Sequence, residues 1–232
     1  MKNNRYLPNL SVLFFLLTLV LALFSWVGNA YGMGEIQSLL SAEGIRWMLG
    51  HVVKNYVQTP ALGIVLVLMM GLGIVVRSGL YGVVCRVLQR EKHLSRKERR
   101  ALVLALVVFF VYALCVVLTL LLPWNFLLGV TGSWLHSPFS RGFVYILSLG
   151  IGLSGTVYGY VSDAFRRLSD VADGMAMLLS YAAPFFVTLF FVSQFFSSLE
   201  YTRVLEWMRM DAGVMEIVYT LLCFLPLLAM KK

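Results

Sequence analysis

The chain has 232 residues, of which 60% are hydrophobic and only 13% charged, with a mean hydropathy of +0.84. A soluble domain carries about 25% charged residues and cannot bury so much apolar surface, so these figures exclude a soluble fold and predict an all-α integral membrane protein. The net charge of +8 suggests no nucleic acid: its main basic run, "RVLQREKHLSRKERR" at 86–100, lies between apolar stretches, where such runs set membrane orientation.

In chain order, the first predicted span is 10–27, after Lys2 and Arg5. Gly28-Asn29-Ala30 has the small-x-small form of a signal cleavage site. The apolar run before it, however, is 18 residues long, against roughly 7–15 for a signal core, so a retained span is expected. Residues 43–57 then read as an amphipathic helix at the membrane interface. Ile45, Met48, Val52 and Tyr56 recur at steps of three or four, with Arg46, Gly50 and Lys54 on another face. Trp47 and Tyr56 suit the headgroup level. Pro60 lacks an N–H and biases Thr59 away from helical geometry, so the helix breaks there.

A second span is predicted at 61–84, a third at 101–122 before Pro123, a fourth at 142–161 and a fifth at 180–199. The last, 214–230, is short for a hydrocarbon core of about 30 Å. The stretch 170–179 reads as a second interfacial helix, with Val171, Met175 and Leu178 on one face. The whole is then a single membrane domain, 1–232, of about six transmembrane helices plus one or two interfacial ones. With the N-terminus inside, 14 of the 19 basic residues fall on the cytoplasmic side: Lys2, Arg5, Arg77, Arg86, Arg90, Lys92, Arg96, Lys97, Arg99, Arg100, Arg166, Arg167, Lys231 and Lys232. Arg46, Lys54, Arg141, Arg203 and Arg209 fall on the other. This asymmetry predicts that both termini are cytoplasmic.

Few residues carry a chemical signal. "GIGLSG", 150–155, matches a dinucleotide fingerprint in letters but lies within a span rather than after a strand. Gly155 and Gly159 are four apart, the spacing that lets a second helix approach closely. His51, His93 and His136 are scattered, and no metal-ligand spacing or Ser-His-Asp set occurs, so no catalytic residue, metal or cofactor is expected. Cys85, Cys115 and Cys223 form no C-x-x-C and read as buried thiols. Gln194, inside "FFVSQFF", needs a polar partner at membrane depth. That partner is either an interhelical hydrogen bond or a solute pathway.

The ordered motifs resemble the p-aminobenzoyl-glutamate transporter (AbgT) family. Ser41, Glu43, Gly44, Ile45, Arg46 and Trp47 are similar to its S-x-E-G-I-R-W segment, and Pro60, Leu62, Gly63 and Ser78-Gly79-Leu80 to the span that follows. Ser137, Pro138, Phe139, Gly155, Tyr158 and Gly159 resemble its S-P-F … G-x-x-Y-G region. Asp170, Val171, Met175, Tyr181, Gln194 and Phe195 resemble a later block. The resemblance implies a transporter of p-aminobenzoyl-glutamate or a related aromatic or acidic solute, in the bacterial inner membrane, and not an enzyme. Gln194 and Ser193 are then expected at the substrate, with Glu43, Arg46, Trp47, Pro60, Gly63, Pro138, Gly155 and Gly159 in structural roles. It passes over two hairpin regions where the family's substrate contacts lie, one between "GLYGVVCRVLQREK" and "HLSRKERR" and one after Gln194-Phe195. Transport by a shortened chain would therefore call for a homo-oligomer or a partner membrane subunit. The alternative is a non-transporting remnant or scaffold derived from the family.

Overall fold

The computed structural model describes residues 6–89, 94–121 and 137–229, which form ten helices and, among the described residues, no strand. Lys2, Arg5, Arg90, Lys92, His93, Leu122, Pro123, His136, Met230, Lys231 and Lys232 lie outside the described residues. The helices are α1 (Tyr6–Ala30), α2 (Ala42–Val57), α3 (Pro60–Arg77), α4 (Leu80–Leu88), α5 (Arg96–Leu121), α6 (Pro138–Val161), α7 (Leu168–Tyr181), α8 (Ala183–Tyr201), α9 (Val204–Trp207) and α10 (Ala212–Ala229). Five stretches are long and apolar enough to cross a membrane: Asn9–Ala30, Pro60–Arg77, Arg96–Leu121, Pro138–Val161 and Ala183–Tyr201. The sixth expected crossing corresponds to a shorter apolar stretch, Gly213–Leu227, within α10.

Helix boundaries follow local chemistry. Ser41 caps α2 by accepting from the Gly44 N–H at 3.0 Å, and Ser137 caps α6 by accepting from Ser140 N–H at 3.1 Å, with Pro138 at the first helical position. Ser95 and Glu98 form a reciprocal capping box at the head of α5: Glu98 N–H donates to Ser95 Oγ, and Ser95 N–H donates to Glu98 Oε2. In the first turn of α7, the Asp170 carboxylate reaches back to accept from the Arg166 and Arg167 N–H groups at 2.7 and 2.8 Å. Those two bonds hold its carboxyl below the usual carboxylate range.

One boundary corrects the sequence reading. The span expected at 61–84 ends at Arg77, because Gly79 takes φ +83° and α4 starts afresh at Leu80. A left-handed residue cannot continue a right-handed helix, and only glycine adopts that conformation cheaply. The joint is marked in the sequence, where Arg77, Ser78 and Gly79 interrupt the apolar run, but apolar residues resume at Leu80 and carry the expected span on to 84.

The chain divides into two compact units, Met1–Gly63 with Ala182–Lys232, and Ile64–Tyr181. In the first, α1 runs alongside α8. Ser11 and Thr188 share a hydrogen bond of 2.8 Å, the Phe15 and Phe191 rings meet edge to face, and Leu21 packs with Leu199. In the second, α3, α6 and α7 close on small residues. Gly71 lies against Ser148, Gly73 against Gly174, and Gly155 against Ile74 and Val75. The Ser148 hydroxyl donates to the Val67 carbonyl at 2.6 Å and fixes the register of α3 on α6. Along α7, Val171, Met175 and Leu178 are half-buried beside the buried Gly174. Ala101 and Ala105 of α5 are buried with Leu80, Val83 and Tyr158, while the opposite face of α5 is exposed. All three cysteines are free; Cys223 is buried as expected, whereas Cys85 is half-buried and Cys115 is exposed.

Candidate functional site

α2 carries a polar row at Trp47, His51, Lys54, Asn55 and Gln58, spaced to occupy one helical face. α8 holds that helix lengthwise and antiparallel. Trp47 stacks on Tyr201 with ring centroids 4.3 Å apart and on His51 at 5.3 Å. The Gln194 amide donates to the Val52 carbonyl at 2.9 Å. The Tyr56 hydroxyl donates to the Phe186 carbonyl at 3.1 Å, and its ring meets Phe190 edge to face. Burial pushes the Tyr56 phenol above its ordinary range, so it remains a donor.

These contacts revise the single apolar face expected for 43–57. Met48, Val52 and Tyr56 are half-buried while Ile45, at the N-terminal end of the same face, is exposed; Leu49, Val53 and Val57 make a second, exposed stripe beside it, with Leu49 and Val53 each 72% exposed. α2 therefore has two apolar faces, one covered by α8 and one open.

Between α2, α8 and α10 lies a cleft of about 440 Å³, lined by the polar row of α2, by Ser197, Glu200 and Tyr201 of α8, and by Tyr219 of α10. A second cavity of about 350 Å³ shares Ser197, Glu200 and Tyr219 and adds Glu216. Tyr219 is held where the two meet, its ring 4.9 Å from Phe196 and its hydroxyl 3.5 Å from Thr59 Oγ1. Lys54 and Glu200 both face the larger cleft, yet neither forms an ion pair among the described residues. The cleft thus offers an ammonium, a carboxylate, two amides and flat aromatic surface.

Of the residues singled out in the sequence, Trp47, Ser193 and Gln194 come together in the first unit. Glu43 and Arg46 are exposed in the early turns of α2. Ser193 is fully buried, and its hydroxyl is donated to the Phe190 carbonyl, so it does not face the cleft. Pro60 and Gly63 are exposed at the head of α3, and Gly63 has open space at its Cβ position. Pro138, Gly155 and Gly159 lie in the second unit, with Gly159 under the Phe165 ring. The sequence reading passed over Asn55, Gln58, Glu200, Tyr201 and Tyr219, and it weighed His51 only as a metal ligand and Lys54 only as part of a polar helix face. Their spacing on α2 was a usable signal, since 47, 51, 54, 55 and 58 share one helical face.

Comparisons with known proteins place this fold. The family described as "AbgT putative transporter family" matches residues 2–91 and 86–218. The p-aminobenzoyl-glutamate transport protein of Escherichia coli (strain K12) is 32% identical over 83 residues, covering 32% of this chain and 16% of that protein. The chain thus spans less than a fifth of that relative's length in the match. The crystal structure of the Alcanivorax borkumensis YdaH transporter, described as having an unusual topology, is similar with a TM-score of 0.75 at 19% identity, over 84% of this chain and 71% of that one. MtrF of Neisseria gonorrhoeae, described as illuminating a class of antimetabolite efflux pumps, gives a TM-score of 0.72 at 17% identity, over 84% and 69%.

Proposed function

The chain belongs to the AbgT family, and from that premise we propose that it moves an aromatic or acidic solute of the p-aminobenzoyl-glutamate kind across the bacterial cytoplasmic membrane. The solute crosses unchanged, with no chemical step and no cofactor. The family match carries this reading, and the α2–α8–α10 cleft supports it. Lys54 can meet a carboxylate, and Trp47 and Tyr201 supply a surface for an aromatic ring. Gln194 acts as a positioning residue, since its amide holds α2 at Val52.

The cleft is not enclosed on all sides, whereas a dicarboxylate inside the hydrocarbon layer needs donors on every side. The working unit is therefore proposed to be a homo-oligomer, or an assembly with a partner membrane subunit. Vesicles containing only the purified chain should take up labelled p-aminobenzoyl-glutamate, and cross-linking should recover more than one copy per transporting particle. Folded chain that gives no uptake at any protein density would defeat the reading and favour a scaffold role.

Both termini are proposed to be cytoplasmic. In a cysteine-free background, an impermeant thiol reagent applied to intact bacterial cells should label Met33→Cys, in the loop after α1, but not Gln89→Cys, after α4. The reverse pattern would overturn the topology.

A further inference from the structure

The head of α5 reads "SRKERRALVLALVVFF", and its charges do not share one fate. Glu98 is engaged by Arg86 at 2.7 Å and by the capping box, and Lys97 is paired with Asp163. Both acidic groups are therefore already occupied. Arg96, Arg99 and Arg100 are exposed and make no ion pair among the described residues. The three lie at i, i+3 and i+4, so their guanidinium groups share one face, at the positive end of the helix dipole.

Two further positions continue that face. An open-sided cavity of about 490 Å³ is lined by Arg96, Arg99, Arg100, Val103 and Leu104. Beyond it an apolar stripe runs on through Val107, Phe110, Val111, Leu114 and Leu118, all exposed. From Val103 to Leu118 the helix rises about 22 Å, more than the ~15 Å depth of one leaflet. Three unneutralised cations thus stand directly over an uncovered hydrocarbon-length face. A soluble anion would match the first feature and not the second.

We propose that this face of α5 is a binding site for an anionic phospholipid, its phosphate held by Arg96, Arg99 and Arg100 and its acyl chains lying along Val103 to Leu118. Guanidinium forks suit phosphate oxygens, and basic clusters at the membrane edge attract anionic headgroups.

The test uses the full chain in detergent micelles, with bound lipid counted by native mass spectrometry and the thermal midpoint read in parallel. Dioleoyl-phosphatidylglycerol should remain bound and raise the midpoint by several degrees, while dioleoyl-phosphatidylcholine at equal concentration should do neither. The triple variant R96Q/R99Q/R100Q should bind phosphatidylglycerol at least about tenfold more weakly, with its midpoint in phosphatidylcholine unchanged. The lysine triple R96K/R99K/R100K should keep most of the binding, and it stands in should the glutamine triple fail to fold. Retention of phosphatidylglycerol by the glutamine triple at the wild-type level would overturn the proposal. So would equal stabilisation by inorganic phosphate alone, which would mark a soluble-anion site, or failure of the lysine triple to bind the lipid.

Discussion

Replacing Gly71 with valine should destabilise the chain by about 2–4 kcal/mol. A Cβ at Gly71 would lie 2.4 Å from Ser148 Oγ, 2.5 Å from its carbonyl oxygen and 3.2 Å from its carbonyl carbon. The serine hydroxyl could rotate away, but only by giving up its 2.6 Å bond to Val67. The backbone carbonyl cannot move without moving α6. Overpacking of this kind costs about 1–3 kcal/mol, and the lost hydrogen bond adds about 1 kcal/mol, against a total stability of roughly 5–15 kcal/mol. Gly73→Val should behave alike, since its Cβ would come within 2.4 Å of the Gly174 carbonyl oxygen. Gly63→Ala is the control. Nothing lies within 4 Å of that site, so alanine should be neutral or stabilise α3 by up to about 1 kcal/mol through helix propensity. Yield of monodisperse protein and its thermal midpoint decide the matter. A Gly71→Val chain that melts where the wild type does would show that α3 and α6 are not seated as described.

Lys54→Gln should lower uptake of p-aminobenzoyl-glutamate by about tenfold to a hundredfold while leaving the fold intact. The ammonium is exposed, faces the cleft and has no ion-pair partner among the described residues, so removing it breaks no contact of the resting protein. A hydrogen bond to a charged group contributes about 1.5–3 kcal/mol, which sets the expected range. Lys54→Arg should restore much of the uptake, because it keeps the charge and adds a fork suited to carboxylate. The loss should appear in the concentration dependence for acidic substrates and fade for an uncharged aromatic amide. Full uptake by Lys54→Gln would remove this cleft from the transport path without touching the family assignment.

Much of the fold could be read from the residues. Apolar run length located α1, α5, α6 and α8, whereas the caps at Ser41 and Ser137, although serine favours such positions, entered only with the structure. The expected bound at 84 ran past Gly79 because apolar residues resume at Leu80 after the polar Arg77-Ser78 pair, and the change of backbone hand at the glycine separates the two runs. On α2 the expected face of Ile45, Met48, Val52 and Tyr56 omits a second apolar stripe beside it, Leu49, Val53 and Val57, which is exposed. A helix between lipid and protein can be apolar on both sides, and periodicity then has two solutions. Gln194 was recognised as needing a partner, but the Val52 carbonyl is contributed by a helix 142 residues away in sequence. The cleft was missed for the same reason. Lys54 and Glu200 are unremarkable surface charges until α8 brings their helices side by side.

The joint at Gly79 also sets how the chain fits a bilayer. Stopped at Arg77, α3 has 18 residues and is about 27 Å long, whereas α5 has 26 and reaches about 39 Å. The first of these roughly matches a hydrocarbon layer of about 30 Å when upright; the second exceeds it until its charged first turn is left in the headgroups. Without the break, the stretch 61–84 would make α3 overlong as well, and mismatch would then be relieved by tilt. The glycine thus acts as a length gauge, trimming one crossing to membrane thickness and sending the surplus residues off as α4.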